Sequence, residues 1–183
     1  MSLYVALLRG INVGGKNLIK MTELAVLFTG LGFTDVRTYI QSGNVIFRAD
    51  EGDQARLTGL LEAALSQSFS YDSRLVTRSH EEMSDIVAHA PDGFGSDPST
   101  YRYDAIFLKE PLTSAEAMKS MSIKEGVDQV FAGRGVLYSS RLISRATQSR
   151  LSRLIGLPVY QSMTIRNWNT TTRLLDMMAA LRP

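Results

Sequence analysis

Short apolar runs and stretches of helical spacing alternate along the first half of the chain. Residues 3–8 form a continuous apolar run, which favours a central strand covered on both faces. Apolar residues then recur at helical spacing up to Leu31, and Gly32 follows where a left-handed residue ends a helix. Two β-rich runs, residues 36–40 and 45–48, flank a Gly-Asn pair that favours a tight turn. This pattern predicts a strand, a helix and a β-hairpin.

A second helix and a further strand complete the predicted order of this half. Apolar positions within residues 57–65 recur at i, i+3, i+4, i+7 and i+8, which is the spacing of an amphipathic helix. A short β-rich run at residues 75–76 predicts a strand. Ser79 and Glu82 then form a capping box at the start of a further helix. The resulting order is βαββαβ plus a helix, the split βαβ arrangement of a ferredoxin-like sheet.

The second half of the chain repeats this order. The predicted segments are a strand at residues 103–108, a helix entered through a capping box of Thr113 and Glu116, a hairpin at residues 127–138, a helix through Leu151, Leu154 and Ile155 that ends at Gly156, a strand at residues 159–166, and a final helix through Met178. We therefore expect an α+β protein with two ferredoxin-like (βαββαβ) subdomains related by internal duplication. The expected subdomains are residues 1–90 and 103–183, with a connector at residues 91–102.

The composition favours a soluble globular protein. The chain has 183 residues, of which 44% are hydrophobic and 21% charged, and this excludes disordered and collagen-like chains. Its longest apolar run, residues 3–8, is far shorter than the roughly 20 residues that a membrane-spanning helix needs. No basic leader precedes this run. We therefore expect a cytoplasmic protein with no membrane partner.

Missing residue types remove most familiar catalytic and metal chemistry. The chain contains no Cys, which excludes disulfides, thiolate zinc sites and cysteine nucleophiles. Its two histidines, His80 and His89, do not have the i, i+4 spacing of a helical metal site. We expect no metal and no cofactor, and the sequence leaves open whether the protein is an enzyme.

Basic residues are concentrated at the two ends of the chain. Residues 1–20 and 129–183 together carry eleven Lys and Arg against the single acidic residue Asp176, whereas acidic residues outnumber basic ones between these segments. If the two ends meet in the fold, one face of the protein is strongly positive. The alternative is that most of these Arg side chains lie on solvated helix faces.

A Gly-rich segment follows the first predicted strand and resembles a phosphate-binding loop. Residues Gly10 to Lys16 satisfy the pattern G-x-x-x-x-G-K, but Asn17 occupies the position of the Ser or Thr that holds magnesium. The next helix is predicted to start near Met21, several residues too late to direct its N-terminus at phosphates held by the loop. The hairpin that follows also argues against the parallel sheet of a P-loop NTPase.

Two interpretations of this loop remain. Gly14 and Gly15 could simply let the chain turn from strand to helix. The loop could instead surround an anion, with donors from the backbone of both glycines and from the side chains of Arg9, Lys16 and Asn17.

A second polar cluster lies at the start of the last predicted helix. Arg166, Asn167, Trp168 and Asn169 are followed by three Thr residues, at a place where free N–H groups and the helix dipole favour anions. Ordinary capping explains one Asn, with Trp168 as a hydrophobic staple. The whole set also fits a ligand that carries a planar ring and a phosphate.

The turn of the first hairpin is polar as well. It contains Gln41, Ser42 and Asn44, residue types that also serve ordinary turns.

Three segments of this chain together resemble a known bacterial family. They are LLRGINVGGKN (residues 7–17), LGFTDVRTYIQSGNVIF (residues 31–47) and TIRNWNTTTRLL (residues 164–175). The family that they resemble is domain-of-unknown-function family 1697, and the resemblance covers nearly the whole chain. It implies a compact α+β fold of two ferredoxin-like subdomains, and it implies no particular activity.

Three hypotheses of function follow. The first is binding of a phosphate-bearing small molecule or another anion at a site that joins the Gly-rich loop to the start of the last helix. The candidate ligand-binding residues are Arg9, Asn12, Gly14, Gly15, Lys16, Asn17, Gln41, Ser42, Asn44, Arg166, Asn167, Trp168 and Asn169. The second is nucleic-acid binding by the Arg-rich C-terminal half. The third is a structural role of the polar motifs, in a monomer or a homodimer.

Overall fold

Within residues 1–182, eight strands and five α-helices follow one another. The computed structural model describes residues 1–182. The elements are β1 (Ser2–Arg9), α1 (Met21–Gly30), β2 (Thr34–Tyr39), β3 (Asn44–Ala49), α2 (Gln54–Phe69), β4 (Arg74–Ser79), α3 (His80–Ala88), β5 (Tyr101–Leu108), α4 (Ser114–Lys119), β6 (Asp128–Gly133), β7 (Val136–Leu142), β8 (Met163–Asn167) and α5 (Trp168–Ala179). Three short 3-10 helices lie between β7 and β8. Residues 1–83 and 174–182 form one unit of the fold, and residues 84–173 form the other.

The first unit contains a four-stranded antiparallel sheet with the strand order β2-β3-β1-β4. β1 is central, because it pairs with β3 on one side and with β4 on the other. Alternate residues of β1 point to one face, where they join the apolar side chains of α1 and α2 in a buried core. Phe28 of α1 packs edge-on against Phe47 of β3, with 5.1 Å between the ring centroids.

The helix ends of this unit follow local sequence signals. Gly32 has a φ of +87° just after α1, as predicted for the residue that ends this helix. Asp53 caps α2, since its carboxylate accepts hydrogen bonds from the N–H groups of Ala55 and Arg56. The predicted capping box of Ser79 and Glu82 is also present, with both reciprocal hydrogen bonds formed.

The second unit contains another four-stranded antiparallel sheet, with the order β6-β7-β5-β8. Counted from its own first strand, this is the order of the first sheet. Ile106 and Leu108 of β5 pack with Leu137, Met163 and Ala117 in the core of this unit. The predicted capping box of Thr113 and Glu116 begins α4.

The predicted helix through Leu151, Leu154 and Ile155 is not an α-helix. This region consists of three 3-10 helices, Ile143–Gln148, Leu151–Gly156 and Pro158–Ser162, and the following strand starts only at Met163. Leu154 is buried, but Ile155 is 59% exposed, so the apolar residues of this segment do not form one continuous buried face. Pro158 has no N–H, and it restricts Leu157 to an extended conformation, so an α-helix cannot continue through this point.

The α+β fold class is therefore confirmed, with two four-stranded antiparallel sheets. The equal strand orders fit a duplicated ferredoxin-like arrangement. The subdomain limits at residues 90 and 103 stay a prediction. Within residues 1–182, no helix combines the length and the apolar character that crossing a membrane requires.

Candidate functional site

The Gly-rich loop after β1 folds into a small hairpin. The N–H of Lys16 donates to the carbonyl of Val13 at 3.1 Å, and the N–H of Asn12 donates to the carbonyl of Asn17 at 3.1 Å. Gly14 and Gly15, at the tip, have φ values of +60° and +74°. Two consecutive residues with positive φ are typical of a type I′ turn, and glycine adopts this conformation without strain. The two glycines therefore make the turn, and both are exposed.

The side chain of Asn12 connects three parts of the first unit. Its amide nitrogen donates to the carbonyls of Ile19 at 3.0 Å and of Gln41 at 2.9 Å, and its oxygen accepts from the N–H of Ile19 at 2.9 Å. The amide of Asn17 donates to the carbonyl of Gly10 at 2.8 Å. Both asparagines thus hold the loop in one conformation, and Asn12 also fastens it to the turn of the first hairpin.

The hairpin turn is held by its own polar side chains. Asn44 is fully buried and donates to the carbonyl of Tyr39 at 2.8 Å and to the hydroxyl of Ser42 at 3.1 Å. Gly43 has a φ of +82°, and a Cβ there would lie 2.5 Å from the side chain of Ile11. The hairpin therefore packs closely under the Gly-rich loop.

An open cleft of about 600 Å³ lies beside this loop in the first unit. Its lining comprises Asn12, Leu18, Ile19, Lys20, Met21, Thr22, Glu23 and Gln41. The cleft therefore collects the end of the Gly-rich loop, the hairpin turn and the first residues of α1.

The start of α1 at this cleft lacks a side-chain cap. Lys20 occupies the N-cap position with extended backbone angles, and in the described chain its side chain makes no capping hydrogen bond. The first N–H groups of a helix have no partner inside the helix and carry the positive end of its dipole. The side chain of Lys20 is 81% exposed and lies 3.9 Å from the carboxylate of Glu23. This end of α1 therefore offers a positive field to the cleft.

Lys16 and Arg9, two further basic residues among the predicted candidates, are close in sequence to residues that line the cleft. Lys16 is exposed on the loop hairpin. Arg9 ends β1 and is half-buried, directly opposite Arg74 of β4 in the sheet register.

In the second unit, Asn167 caps α5. Its side-chain oxygen accepts from the N–H of Asn169 at 3.0 Å, and its amide nitrogen donates to the carbonyl of Tyr103 at 3.2 Å. Asn169 itself is exposed. Asn167 is therefore the residue that caps this helix, and its side chain also connects α5 to β5.

Trp168 lies in an aromatic cluster. It is 8% exposed, and its ring packs edge-on against Phe94 and Tyr138, with centroid distances of 5.0 and 6.1 Å. Gly95 has a φ of +84°, and a Cβ there would lie 2.4 Å from the indole ring. The segment around Phe94 therefore packs directly on the tryptophan.

Arg166 is a buried cation at the end of β8. Its side chain is 7% exposed, and its guanidinium donates to the carbonyl of Ile165 at 3.0 Å. Burial lowers the pKa of Arg166 to about 10, because a charged guanidinium is costly to remove from water.

The candidate residues thus fall into two groups. Asn12 and Gln41 line the cleft of the first unit, and Gly14, Gly15 and Lys16 form the exposed hairpin beside it. The side chains of Asn17, Ser42 and Asn44 hold the loop and the turn, whereas Arg9 lies at the end of β1. The candidates of the second unit surround the start of α5. A single site that joins the two groups stays a prediction.

The sequence did not indicate that Lys20 and the first turn of α1 line a cleft. The available signal was a Lys at the position where helices usually have Ser, Thr, Asp or Asn. Among residues 1–182, no three His, Asp or Glu side chains are grouped closely enough to hold a metal ion.

These features define an α+β protein of two antiparallel sheets with a Gly-rich loop beside an open cleft. The chain belongs to the family described as protein of unknown function (DUF1697), whose model matches residues 1–138. It is similar to a solved structure described as the conserved bacterial protein SP0830 from Streptococcus pneumoniae. That similarity has a TM-score of 0.83 and 27% sequence identity, and it covers 97% of this chain and 98% of that chain. A search of curated proteins finds no match. The resemblance noted in the sequence is confirmed.

Proposed function

We propose that this protein binds a phosphate-bearing or other anionic small molecule in the cleft of the first unit. The observation that carries the proposal is the uncapped start of α1, which lies in the cleft wall together with Asn12 and Gln41. An uncapped helix start presents several N–H donors and a positive dipole end, the combination by which many proteins bind phosphate. The cleft volume of about 600 Å³ is within the range of small-molecule sites.

The exposed cations supply the remaining attraction. Lys20 lines the cleft, and Lys16 is exposed on the hairpin of the Gly-rich loop; both carry flexible ammonium groups that attract an anion. Gly14 and Gly15 have open space around their Cα atoms, so a ligand can approach their backbone closely. The carboxylate of Glu23 is the opposing charge in this lining, and a bound anion would compete with it for Lys20.

The start of α5 is the second part of the proposal. Asn167 and Asn169 are the exposed members of this group, and the Asn167 side chain already caps the helix, whereas Arg166 and Trp168 are buried. If both helix starts serve one ligand, then Asn169→Ala weakens binding. If the cleft of the first unit acts alone, Asn169→Ala has no effect.

A calorimetric titration with defined anions tests the proposal. The probes are inorganic phosphate, a sugar phosphate and a nucleoside monophosphate, each at constant ionic strength. We expect at least one to bind to the natural chain and about 1.4- to 5-fold more weakly to Lys20→Gln, since an exposed charge contributes about 0.2–1 kcal/mol. Lys119→Gln is the matched control, because Lys119 is an exposed Lys at the end of α4 in the other unit.

Three results contradict the proposal. One is that no anion binds at millimolar concentration. Another is that only a short RNA, titrated in parallel, binds with an affinity that falls steeply with salt, which would favour the nucleic-acid hypothesis. The third is equal anion affinities of Lys20→Gln and Lys119→Gln, which would show that the site is not at the start of α1.

A further inference from the structure

A second, smaller pocket lies on the sheet of the other unit. Its volume is about 200 Å³. It is lined by Pro91, Asp92, Gly93, Phe94, Tyr101, Tyr103, Gln129, Phe131 and Ser140. Ile106 and Leu108 of β5 point into the apolar core of this unit. Tyr101 and Tyr103 occupy odd-numbered positions of the same strand, so their side chains point to the other face of the sheet. The pocket therefore lies on the opposite face of this sheet.

The strand register explains why a hollow exists there. Ser140 of β7 lies opposite Tyr103 of β5 on one side and opposite Gln129 of β6 on the other. Cross-strand neighbours share one face of a sheet, so a small side chain stands between two large ones. The segment from Pro91 to Phe94 closes one side of this depression.

Four aromatic rings contribute to the pocket wall. Phe94 and Tyr103 meet at an angle of 70° with 4.9 Å between their centroids, and Tyr101 and Tyr103 meet at 48° with 6.1 Å between theirs. Phe131 contributes a fourth ring and is 43% exposed. Phe94, Tyr103 and Tyr101 thus pack against one another at an angle, and together with Phe131 they line the pocket. Each ring face carries a partial negative charge.

The charge of the lining selects the kind of ligand. Within the described residues, Asp92 is the one charged side chain of this lining, and it is exposed. A carboxylate beside several ring faces attracts a cation and repels an anion. Ring faces accept few hydrogen bonds, so a cation without N–H donors loses least on leaving water.

We propose that this pocket binds the quaternary ammonium group of a small molecule. The group would lie among Phe94, Tyr101, Tyr103 and Phe131, with the carboxylate of Asp92 at the opening. The pocket is smaller than the roughly 300–1,000 Å³ that drug-sized ligands occupy, so it matches a compact head group. This site is independent of the anion site proposed above, because its lining residues and the charge of its ligand are different.

Stacking of a nucleobase is the competing occupant of an aromatic pocket. Proteins that stack bases also provide basic groups for the phosphates. Asp92 would instead repel those phosphates, so the charge of the lining favours the ammonium ligand.

Calorimetric titration with a matched pair of ligands tests the proposal. Choline is the cationic probe, and 3,3-dimethylbutan-1-ol is its neutral isostere. We expect choline to bind at least about tenfold more tightly, because the cation–π attraction requires the positive charge. Equal affinities would overturn the proposal, as would tighter binding of adenosine than of choline.

Two variants locate the site. Phe131→Leu removes one ring face but keeps an apolar side chain, and we expect about two- to fivefold weaker choline binding. Asp92→Asn should weaken it by about two- to fivefold as well. Glu125→Gln, an exposed carboxylate of the same unit outside the pocket, is the matched control and should leave the affinity unchanged. Unchanged affinity in both pocket variants, with unfolding midpoints equal to that of the natural chain, would refute this location.

The same titration tests whether the ammonium group belongs to a free small molecule or to a peptide side chain. Free trimethyllysine should bind about as well as choline, and embedding it in a peptide should add no affinity. A peptide that binds more than about tenfold better than free trimethyllysine, equivalent to about 1.4 kcal/mol, would show a peptide-docking surface and contradict the small-molecule proposal.

Discussion

The carboxamide oxygen of Asn12 accepts a hydrogen bond at 2.9 Å from the backbone N–H of Ile19, so one side chain closes the Gly-rich loop. The amide nitrogen of Asn12 donates to the carbonyl of Gln41 at 2.9 Å, and this bond fixes the loop to the first hairpin. The loop next to the cleft is therefore held before any ligand arrives. A held loop loses little conformational entropy on binding.

Removing the Asn12 side chain should destabilise the first unit. Asn12 has a φ of +53°, so Asn12→Gly retains the backbone conformation while it removes three hydrogen bonds. We expect a loss of about 1–3 kcal/mol in the free energy of unfolding, because the buried N–H of Ile19 loses its partner. Urea denaturation measures this loss.

Asn17→Gly is the matched comparison for Asn12→Gly. It too has a positive φ, +48°, and its side chain donates one hydrogen bond, to the carbonyl of Gly10. We expect a loss of about 0.5–1.5 kcal/mol. A loss as large as that of Asn12→Gly would contradict the special role of Asn12.

A side-chain cap introduced at α1 should raise stability and weaken anion binding. Lys20 already has the extended backbone angles of an N-cap residue, and Glu23 lies three residues later, so Lys20→Ser completes a capping box. We expect a gain of about 1 kcal/mol, because the new hydroxyl accepts a hydrogen bond from a free N–H group. The same bond occupies a donor that the proposed anion needs. A stabilised Lys20→Ser protein whose phosphate affinity equals that of Lys20→Gln would show that these N–H groups do not bind the anion.

Alanine at Gly95 should be far more harmful than alanine at Gly93. Both glycines have positive φ values, +84° and +74°, so both substitutions introduce backbone strain of about 1 kcal/mol. Only at Gly95 would the new Cβ collide with the ring of Trp168, at 2.4 Å, whereas at Gly93 the nearest atom is 3.7 Å away. We expect Gly95→Ala to cost about 1–3 kcal/mol more than Gly93→Ala. Unfolding followed by fluorescence of Trp168, the only Trp of the chain, measures both variants. Equal costs would mean that the ring moves aside freely.

The stability of the protein should fall between pH 10 and pH 12 in part because of Tyr138. Burial, together with the nearby carboxylate of Asp85, raises the pKa of Tyr138 to about 12 from its model-compound value of 10.0. In this range the unfolded chain loses the Tyr138 proton while the folded chain keeps it. Folding therefore becomes less favourable as the pH rises towards 12. The phenol also donates to the carbonyl of Ile86 at 2.6 Å.

Tyr138→Phe isolates this contribution. Below pH 10 the variant should be about 1 kcal/mol less stable than the natural chain, because it lacks the hydrogen bond. This difference should shrink as the pH rises from 10 to 12, since the variant has no phenol to titrate. A difference that stays constant over this range in chemical denaturation experiments would rule out the raised pKa.

The order of elements could be predicted because it depends on signals that are local in sequence. A continuous apolar run predicted β1, and Gly32 and the two capping boxes predicted helix ends that the structure confirms. Each of these signals acts over a few residues, through backbone angles or hydrogen bonds within one turn. The helix predicted to end at Gly156 is present as the 3-10 helix Leu151–Gly156, and the following strand starts at Met163 and not at residue 159. Pro158 prevents an α-helix from continuing through this region.

The candidate sites depend on contacts between distant parts of the chain. Asn12 and Gln41 were predicted as candidates, but the sequence did not show that one holds the backbone of the other. Phe94 was assigned to a connector, yet its ring packs against Tyr103 and Trp168. No local pattern marks such pairs, because they come together only when the strands adopt their register.

The sequence by itself thus determined the α+β class and the alternation of strands and helices. These follow from hydrophobic periodicity and from local turn and capping signals, which act within a few residues. The tertiary structure alone decided that Lys20 stands uncapped beside the cleft, and that Ser140 leaves a hollow among four aromatic rings. A cleft is the space left between packed elements, so its shape depends on which distant side chains meet and how large they are.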